Sequence, residues 1–191
     1  MDSIYKVDKI VGKGFGWIAL QDIKAGTVIC KEKPQFIPEE HLGTGAGERF
    51  IADHFATLMK SFFAMSKMDQ KEFLELYSTF LDPNSMNDGL KEKWTNDIFI
   101  QNRVGQNHLK DCEFDSNLLM KIICIHLTNR YGCGETGVIG INTSRINHSC
   151  CPNSVRSALG SMEEGEIEIR TISKILEGQE ITIGNKEAQK M

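Results

Sequence analysis

The segment from Arg145 to Asn153, which reads RINHSCCPN, concentrates the side chains of this chain that are best suited to chemistry. Asparagine, histidine and serine can donate and accept hydrogen bonds, a thiolate is a nucleophile and a metal ligand, and Pro152 restricts the backbone near the end of the segment. Zinc binding, thiol chemistry and a structural role are the three interpretations to be weighed.

A zinc site here would take His148, Cys150, Cys151 and Cys133 as ligands. Adjacent cysteines point in diverging directions on an extended backbone, and structural zinc usually takes its ligands in spaced pairs. The six cysteines also form no CxxC pair and no regular framework, and no apolar run of signal-peptide length opens the chain. Reduced thiols are therefore expected, and no metal site is predicted.

A thiol–imidazole pair is the second interpretation. On an extended strand, His148 and Cys150 would face the same side, because residues two apart share a face. Catalytic pairs of this kind usually come from separate elements, and only Asn147 or Asn153 could orient the histidine here. The pattern therefore favours structural and binding roles for His148 and Cys150 over nucleophilic catalysis.

A second motif lies near the start, at residues 12–16 (GKGFG). Three glycines in such a short stretch let the backbone approach a ligand closely and present N–H groups to an anion. The spacing is not that of a phosphate-binding loop, and a strand follows where a dinucleotide site needs a helix. A tight hairpin and a ligand-contacting turn both remain open.

Short strands are predicted at both ends of the chain, where segments rich in β-branched or aromatic residues are separated by glycine-containing turns. The predicted strands are Ile4–Val11, Trp17–Leu20, Thr27–Glu32, Val138–Ile141, Glu166–Arg170 and Glu180–Ile183. The sequences ALQDIKAGTVI and TISKILEGQEI resemble each other, and each places Ile-x-x-Gly between two strands. This internal similarity indicates two related strand–turn–strand units.

Helices are predicted between these β regions. Apolar residues recur at helical spacing over Phe50–Phe63 and over Ser116–Arg130. A helix between them is predicted to start at Asp69 as N-cap, with Met68 and Phe73 as a hydrophobic staple, and to end at the Asp-Pro-Asn sequence of residues 82–84. Their apolar stripes are expected to form core.

This grouping of strands and helices predicts an α+β fold, mostly β with an α-helical insertion, because a doubly wound sheet needs regular alternation. We expect one domain over 1–191, with an N-terminal β part (1–38), a helical insertion (39–131), a C-terminal β part (132–185) and a short tail (186–191). The net charge of −4, without blocks of like charge, argues against direct nucleic-acid binding. An intracellular protein without a membrane segment is expected.

Taken in order, the motifs resemble those of the SET-domain family of S-adenosylmethionine-dependent protein-lysine methyltransferases. Residues 12–29 resemble the family's Gly-x-Gly loop and A-x-D-I-x-x-G-x-x-I strand pair, residues 147–153 (NHSCCPN) match N-H-S-C-x-P-N, and residues 178–182 (GQEIT) resemble G-E-E-I-T. The helical insertion is similar to that of SET/MYND-type proteins, although no MYND finger is present. The resemblance implies a SET-type β-clip of short strands.

The resemblance also implies residue roles. The backbone of Lys13, Gly14 and Phe15 would hold the amino-acid end of S-adenosylmethionine (AdoMet), with Lys13 near its carboxylate. Asn147 and the backbone of His148 would bind the amino group and adenine, and Asn129 would face the same cofactor. The partner would be a protein, histone or other, that presents an exposed lysine in the nucleus or the cytoplasm.

The sequence departs from the family after residue 183. Asn185 stands where the family places a tyrosine that lines the lysine channel, and the given sequence ends at Met191, before the position of the family's tail. Three alternatives follow. The chain is a methyltransferase with weak or lost activity, a working enzyme that uses another tyrosine such as Tyr131 or residues of a partner, or a non-catalytic module that binds a lysine-bearing peptide or the methyl donor.

Overall fold

The computed structural model describes residues 3–38, 48–78, 116–131, 137–159 and 165–184. These parts of the chain contain six strands and three helices, which confirms the predicted α+β class. They belong to two compact units, one made of Met1–Pro34 and Gly140–Met191 and the other of Gln35–Ile139.

The first unit contains two antiparallel sheets of three strands each. One sheet has the order β1-β2-β6 and the other has the order β3-β5-β4, so each joins early strands to late ones. Its core includes Trp17, Ile169, Ile175 and Ile181, which are completely buried. The strands are β1 (Tyr5–Ile10), β2 (Gly14–Ala19), β3 (Val28–Glu32), β4 (Ser154–Leu159), β5 (Glu166–Thr171) and β6 (Glu180–Ile181).

The glycine-rich motif forms the tight turn between β1 and β2. The N–H of Lys13 donates to the carbonyl of Ile10 at 3.0 Å, and Ile10 pairs with Gly14 at the end of the hairpin. Gly12 and Gly14 have φ values of 76° and 77°, a left-handed conformation that residues with a side chain rarely adopt. Of the two interpretations of this motif, the structure shows the tight hairpin, and the same turn brings Lys13 beside β6.

The two similar sequences pair with each other. Ile23 and Ile175 exchange both backbone hydrogen bonds, at 2.8 and 2.9 Å. The equivalent glycines also make equivalent bonds, since the N–H of Gly26 donates to Thr171 and that of Gly178 donates to Ala19, both at 2.9 Å. The internal similarity in sequence therefore corresponds to an approximate twofold relation, and it pairs the two ends of the chain.

Strand β4 is absent from the sequence-based prediction. Its sequence, SVRSAL, lacks the apolar–polar alternation of a half-buried strand. It is a strand because it pairs with β5 over its whole length, from Ser154 opposite Thr171 to Leu159 opposite Glu166. Pairing with a neighbouring strand here outweighs the local pattern.

The second unit contains the three helices α1 (Glu48–Ala64), α2 (Lys67–Leu74) and α3 (Ser116–Asn129). Its core includes Phe36, Leu58, Phe73 and Ile122, which are completely buried, and the rings of Phe36 and Phe73 stack at 4.9 Å. Most described residues of the predicted apolar stripes are core, but Tyr77 and Leu127, which were predicted to belong to them, are 73% and 37% exposed. No helix within the described ranges combines the length and the hydropathy needed to cross a bilayer.

The predicted start of α2 is wrong. Ser66, not Asp69, is the N-cap: its Oγ accepts from the N–H of Asp69 at 3.1 Å and donates to the Asp69 carboxylate at 2.7 Å. Asp69 thus lies in the first turn of the helix, where its N–H and its carboxylate both bond the hydroxyl of the capping serine. Met68 is 70% exposed, so it forms no staple, and the helix ends at Leu74. Residues 79–115, including the predicted stop, lie outside the described residues.

Candidate functional site

The segment 147–154 runs beside the end of the described chain. The N–H of Ile183 donates to the carbonyl of Asn147 at 3.1 Å, and the N–H of Ser149 donates to the carbonyl of Ile183 at 2.9 Å. Ser154 then donates to Thr182 at 3.0 Å. Two sequence motifs that are far apart in the chain are therefore held in register by main-chain hydrogen bonds.

Asn153 joins the same two motifs through its side chain. Its Nδ2 donates to the carbonyl of Glu180 at 2.8 Å, and its Oδ1 accepts from the N–H of Thr182 at 2.9 Å. The amide thus bonds one main-chain carbonyl and one main-chain N–H, as the backbone of a neighbouring strand would. Because one of its two partners is the main chain of Glu180, Asn153 helps to set the position of that residue.

We expect Asn153→Asp to lower the free energy of unfolding by about 1–3 kcal/mol, because the carbonyl of Glu180 would lose its donor and face a carboxylate oxygen. Urea unfolding of both proteins measures the difference. Gln179→Glu is the matched control, since among the described residues the Gln179 side chain bonds only through its oxygen, which accepts from the N–H of Leu176 at 2.8 Å. Equal losses in the two variants would contradict a specific role for the Asn153 amide.

The turn that precedes Asn147 is held by a carboxylate at the end of β3. Glu32 accepts from the N–H of Asn142 at 2.9 Å and from the N–H of Thr143 at 2.8 Å. These are N–H groups at the start of the 3-10 turn Thr143–Arg145, where helical segments lack internal partners. A Cβ on Gly140 would lie 2.5 Å from Oε2 of Glu32, so glycine leaves the space that the carboxylate needs.

Two aromatic residues hold the other side of this turn. The rings of Tyr5 and Trp17 stack at 3.8 Å, and Nε1 of Trp17 donates to the carbonyl of Asn142 at 3.2 Å. Nδ2 of Asn142 donates to the Tyr5 hydroxyl at 2.6 Å. Burial raises the pKa of Tyr5 to about 12, although the bond from Asn142 works in the opposite direction.

This raised pKa makes stability depend on alkaline pH. A tyrosine that holds its proton more tightly in the folded state stabilises it fully below the ordinary pKa of 10.0 and loses that contribution as the pH rises towards about 12. Between pH 8 and pH 11.5, the melting temperature should therefore fall less in Tyr5→Phe than in the parent. Tyr77→Phe, at a tyrosine that is 73% exposed, is the control, and an identical fall in parent and Tyr5→Phe would contradict the prediction.

Four residues form what we call the polar cluster: Lys13, Phe15, Asn147 and Glu180. Nζ of Lys13 lies 2.7 Å from Oε2 of Glu180, and the other carboxylate oxygen accepts from Nδ2 of Asn147 at 2.9 Å. The same Nδ2 donates to the carbonyl of Phe15 at 3.2 Å. All three predicted motifs, the glycine turn, the central segment and the final strand, thus contribute to one group of side chains.

The geometry of the polar cluster determines how the Asn147 amide is oriented. Both groups that it meets, the Phe15 carbonyl and the Glu180 carboxylate, accept hydrogen bonds only, so Nδ2 must face them and use both of its hydrogens. Among the described residues, none donates to Oδ1. This oxygen is therefore the group that Asn147 can offer to a ligand that carries N–H donors.

Gly16 makes room for this amide. A Cβ at Gly16 would lie 2.7 Å from Nδ2 of Asn147 and would collide with Cδ1 of Ile10. Gly16 is buried in β2 directly after Phe15, so its lack of a side chain lets Asn147 reach the Phe15 carbonyl. The third glycine of the motif therefore serves close approach, whereas Gly12 and Gly14 serve the turn.

His148 and Cys150 approach each other as their spacing predicted, with Nε2 of His148 3.8 Å from Sγ of Cys150. Both side chains are exposed, and within the described part of the chain no carboxylate or amide orients the imidazole. A search of the described residues finds no group of three or more potential metal ligands. Cys133, one of the four candidate zinc ligands, lies outside those residues, so the structure does not describe its position relative to the other three.

Asn129 and Tyr131 lie in the second unit. Nδ2 of Asn129 donates to the carbonyls of Tyr77 at 2.8 Å and Ile125 at 2.9 Å, which leaves its Oδ1 to accept, as in Asn147. Tyr131 is 6% exposed and exchanges backbone hydrogen bonds with Val138. Asn185 lies outside the described residues. The assignments of Asn129 to the methyl donor and of Tyr131 to the lysine channel stay predictions.

Comparison with known proteins identifies the family. The sequence profile of the SET domain matches residues 14–184, nearly the whole chain. The chain belongs to the SET-domain family. The resemblance of the three motifs is thereby confirmed, and the polar cluster lies where those motifs meet.

Relatives and solved structures agree with this assignment to the SET-domain family. A SET domain-containing protein of Acanthamoeba polyphaga mimivirus is 28% identical over 177 residues, covering 89% of this chain and 62% of the relative. The SET domain of LSMT bound to MeLysine and AdoHcy aligns with a TM-score of 0.57 at 14% identity, covering 97% of this chain and 49% of that one. Rubisco LSMT bound to AdoMet gives a TM-score of 0.57 at 13% identity, covering 96% and 48%.

The chain spans about three fifths of the length of the viral SET protein and about half the length of the LSMT chains. The structural likeness at such low identity concerns the fold. The comparisons thus show that the chain is a SET domain and has the fold of the LSMT structures.

Sequence reasoning missed three residues of the site. Glu180 was visible only as part of a turn and strand, Gly16 only as one of three glycines, and Asn153 only as a possible partner of His148. A signal existed for Glu180 and Asn153, because both occupy fixed positions of the family motifs. Their contacts with each other depend on the pairing of distant strands, which the local sequence does not show.

Proposed function

We propose that this SET domain binds AdoMet and transfers its methyl group to a lysine side chain of a protein. The observation that carries the proposal is the polar cluster, in which a cation, an oriented amide and a main-chain carbonyl meet at the junction of the three SET motifs. Titration of the protein with AdoMet, described below, tests it.

The residues present fit the amino-acid end of AdoMet. That end carries a carboxylate and an ammonium group, which need a cation and hydrogen-bond acceptors respectively. Lys13 supplies the cation, and its side chain is 50% exposed and so remains open to a ligand. Oδ1 of Asn147 and the carbonyl of Phe15 supply acceptors for the ammonium group.

Methyl transfer from AdoMet to a lysine amine requires mainly that the protein hold the two reactants in the correct position. Lys13, Asn147 and the carbonyl of Phe15 would hold AdoMet, and its sulfonium would supply an activated methyl group to a neutral lysine amine, with the C–S electron pair going to sulfur and a proton leaving the amine. Residues that hold both reactants in line accelerate such a step by proximity and orientation, without a covalent enzyme intermediate. In this proposal, His148 and Cys150 have binding and structural roles and do not act as nucleophile or base.

Two measurements test the proposal together. Calorimetric titration with AdoMet measures binding, and a methylation assay on histones and on bulk protein measures transfer. Binding with product formation supports the full proposal. Binding without product supports the second candidate, a non-catalytic module for the methyl donor or a lysine-bearing peptide, which the asparagine at position 185 favours. Absence of AdoMet binding contradicts the proposal and also a module for the methyl donor, and it leaves only a module for a lysine-bearing peptide.

Asn185→Tyr tests that second candidate directly. The family places a tyrosine at this position, and an amide cannot supply the phenol hydroxyl or the ring that lines the lysine channel. We expect methylation by Asn185→Tyr to rise at least about tenfold over the parent at equal AdoMet occupancy, a change of about 1.4 kcal/mol in the barrier. Asn185→Phe is the matched control, because it restores the ring without the hydroxyl. An unchanged methylation rate in Asn185→Tyr would show that the missing phenol is not the cause of weak or absent activity.

A further inference from the structure

Glu180 is the one residue of the polar cluster that contacts both predicted ligand-binding side chains. Its two carboxylate oxygens are divided between them, with Oε2 at 2.7 Å from Nζ of Lys13 and Oε1 accepting from Nδ2 of Asn147 at 2.9 Å. Its side chain is 18% exposed, and its carbonyl is held by Asn153 at 2.8 Å. Both the main chain and the carboxylate of Glu180 are therefore held by hydrogen bonds.

We propose that Glu180 is a positioning residue for the methyl donor: it orients the Asn147 amide and holds Lys13, so that both meet the amino-acid end of the ligand. This inference rests on the proposed binding of AdoMet and assigns a role within that site. Glu180 acts through its two neighbours, and it is not itself placed against the reacting atoms.

The case for orientation comes from the strengths of the two bonds to Nδ2. The bond to the Glu180 carboxylate is the shorter, at 2.9 Å against 3.2 Å for the Phe15 carbonyl, and a charged acceptor makes the stronger bond. With Glu180 removed, only the longer bond restrains the Asn147 side chain. Oδ1 would then be held less firmly in the place where a ligand ammonium needs it.

The case for Lys13 comes from its location. The lysine lies in the β1–β2 turn, and an exposed ion pair adds little to stability because water screens it and two flexible chains must be ordered. The effect of this ion pair is to position Lys13, since it restricts a flexible side chain before any ligand binds. A ligand carboxylate that meets a lysine already restricted in this way has less conformational entropy left to remove.

A comparison of two ligands tests the proposal. AdoHcy (S-adenosylhomocysteine) carries the amino-acid end, whereas 5′-methylthioadenosine lacks it. We expect Glu180→Ala to weaken AdoHcy binding by at least about tenfold, because it impairs hydrogen bonds to charged ligand groups, and to change methylthioadenosine binding less than about twofold. Glu177→Ala, which removes an exposed carboxylate from the adjacent turn, is the matched control and should leave both affinities unchanged.

Each result is decisive. Equal weakening of both ligands by Glu180→Ala, or no weakening of AdoHcy, overturns the proposal. Glu180→Gln keeps an oxygen that can accept from Asn147, so it should fold and should bind AdoHcy more tightly than Glu180→Ala. If instead it binds as weakly as Glu180→Ala, or if Glu180→Ala does not fold and Glu180→Gln weakens both ligands equally, orientation is not the role. If the parent binds neither ligand, the proposed function itself fails.

Discussion

Replacing Asn147 with alanine is expected to weaken AdoMet binding by roughly 10- to 100-fold, because a hydrogen bond to a charged ligand group contributes about 1.5–3 kcal/mol. The amide meets only acceptors inside the protein, at 2.9 Å to Glu180 and 3.2 Å to Phe15, so its oxygen is left for the ligand. Calorimetry on the purified variant measures the loss, and thermal unfolding should show only a modest drop in stability.

Asn147→Asp separates shape from hydrogen-bonding polarity. Aspartate has nearly the same shape, but it replaces the Nδ2 donor with an oxygen that would face the carbonyl of Phe15 and the carboxylate of Glu180. We expect AdoMet binding by Asn147→Asp to be at least as weak as by Asn147→Ala. An alanine variant that binds AdoMet as tightly as the parent would reduce Asn147 to a structural residue.

Gly16→Ala is expected to abolish AdoMet binding at concentrations that saturate the parent. The added methyl group would lie 2.7 Å from Nδ2 of Asn147, so the amide must leave both of its partners. It would also collide with Ile10, and overpacking of this kind costs about 1–3 kcal/mol of stability. Calorimetric titration and urea unfolding of the same preparation measure the two effects.

A double variant separates these two collisions. Ile10→Val removes the Cδ1 atom that the new methyl group would meet, and it leaves the collision with Asn147 in place. Gly16→Ala with Ile10→Val should therefore regain most of the lost stability and none of the lost binding. Recovery of AdoMet binding in the double variant would show that the effect of Gly16→Ala on binding came from strain at Ile10.

The sequence was sufficient for those features that arise locally. The alternation in β5, the glycines of the β1–β2 turn and the apolar face of α3 each depend on neighbouring residues, and all three elements occur close to the predicted positions. The start of α2 was predicted one turn late because two residues that favour the N-cap position, Ser66 and Asp69, lie three positions apart. Ser66 is the N-cap, and Asp69 hydrogen-bonds to it from the first turn. The central motif was recognisable because its residue types and spacing are themselves the signal.

Only the tertiary structure decided how these pieces combine. Strand β4 exists because β5 pairs with it, and the polar cluster exists because β6 pairs with β2 and brings Glu180 beside Lys13 and Asn147. Hydrogen bonds between residues that are far apart in the chain depend on which backbones lie side by side, and no local pattern encodes that. The sequence by itself thus determined the family and the residue types of the site. The fold decided that Asn147 presents its oxygen and that Glu180 connects it to Lys13.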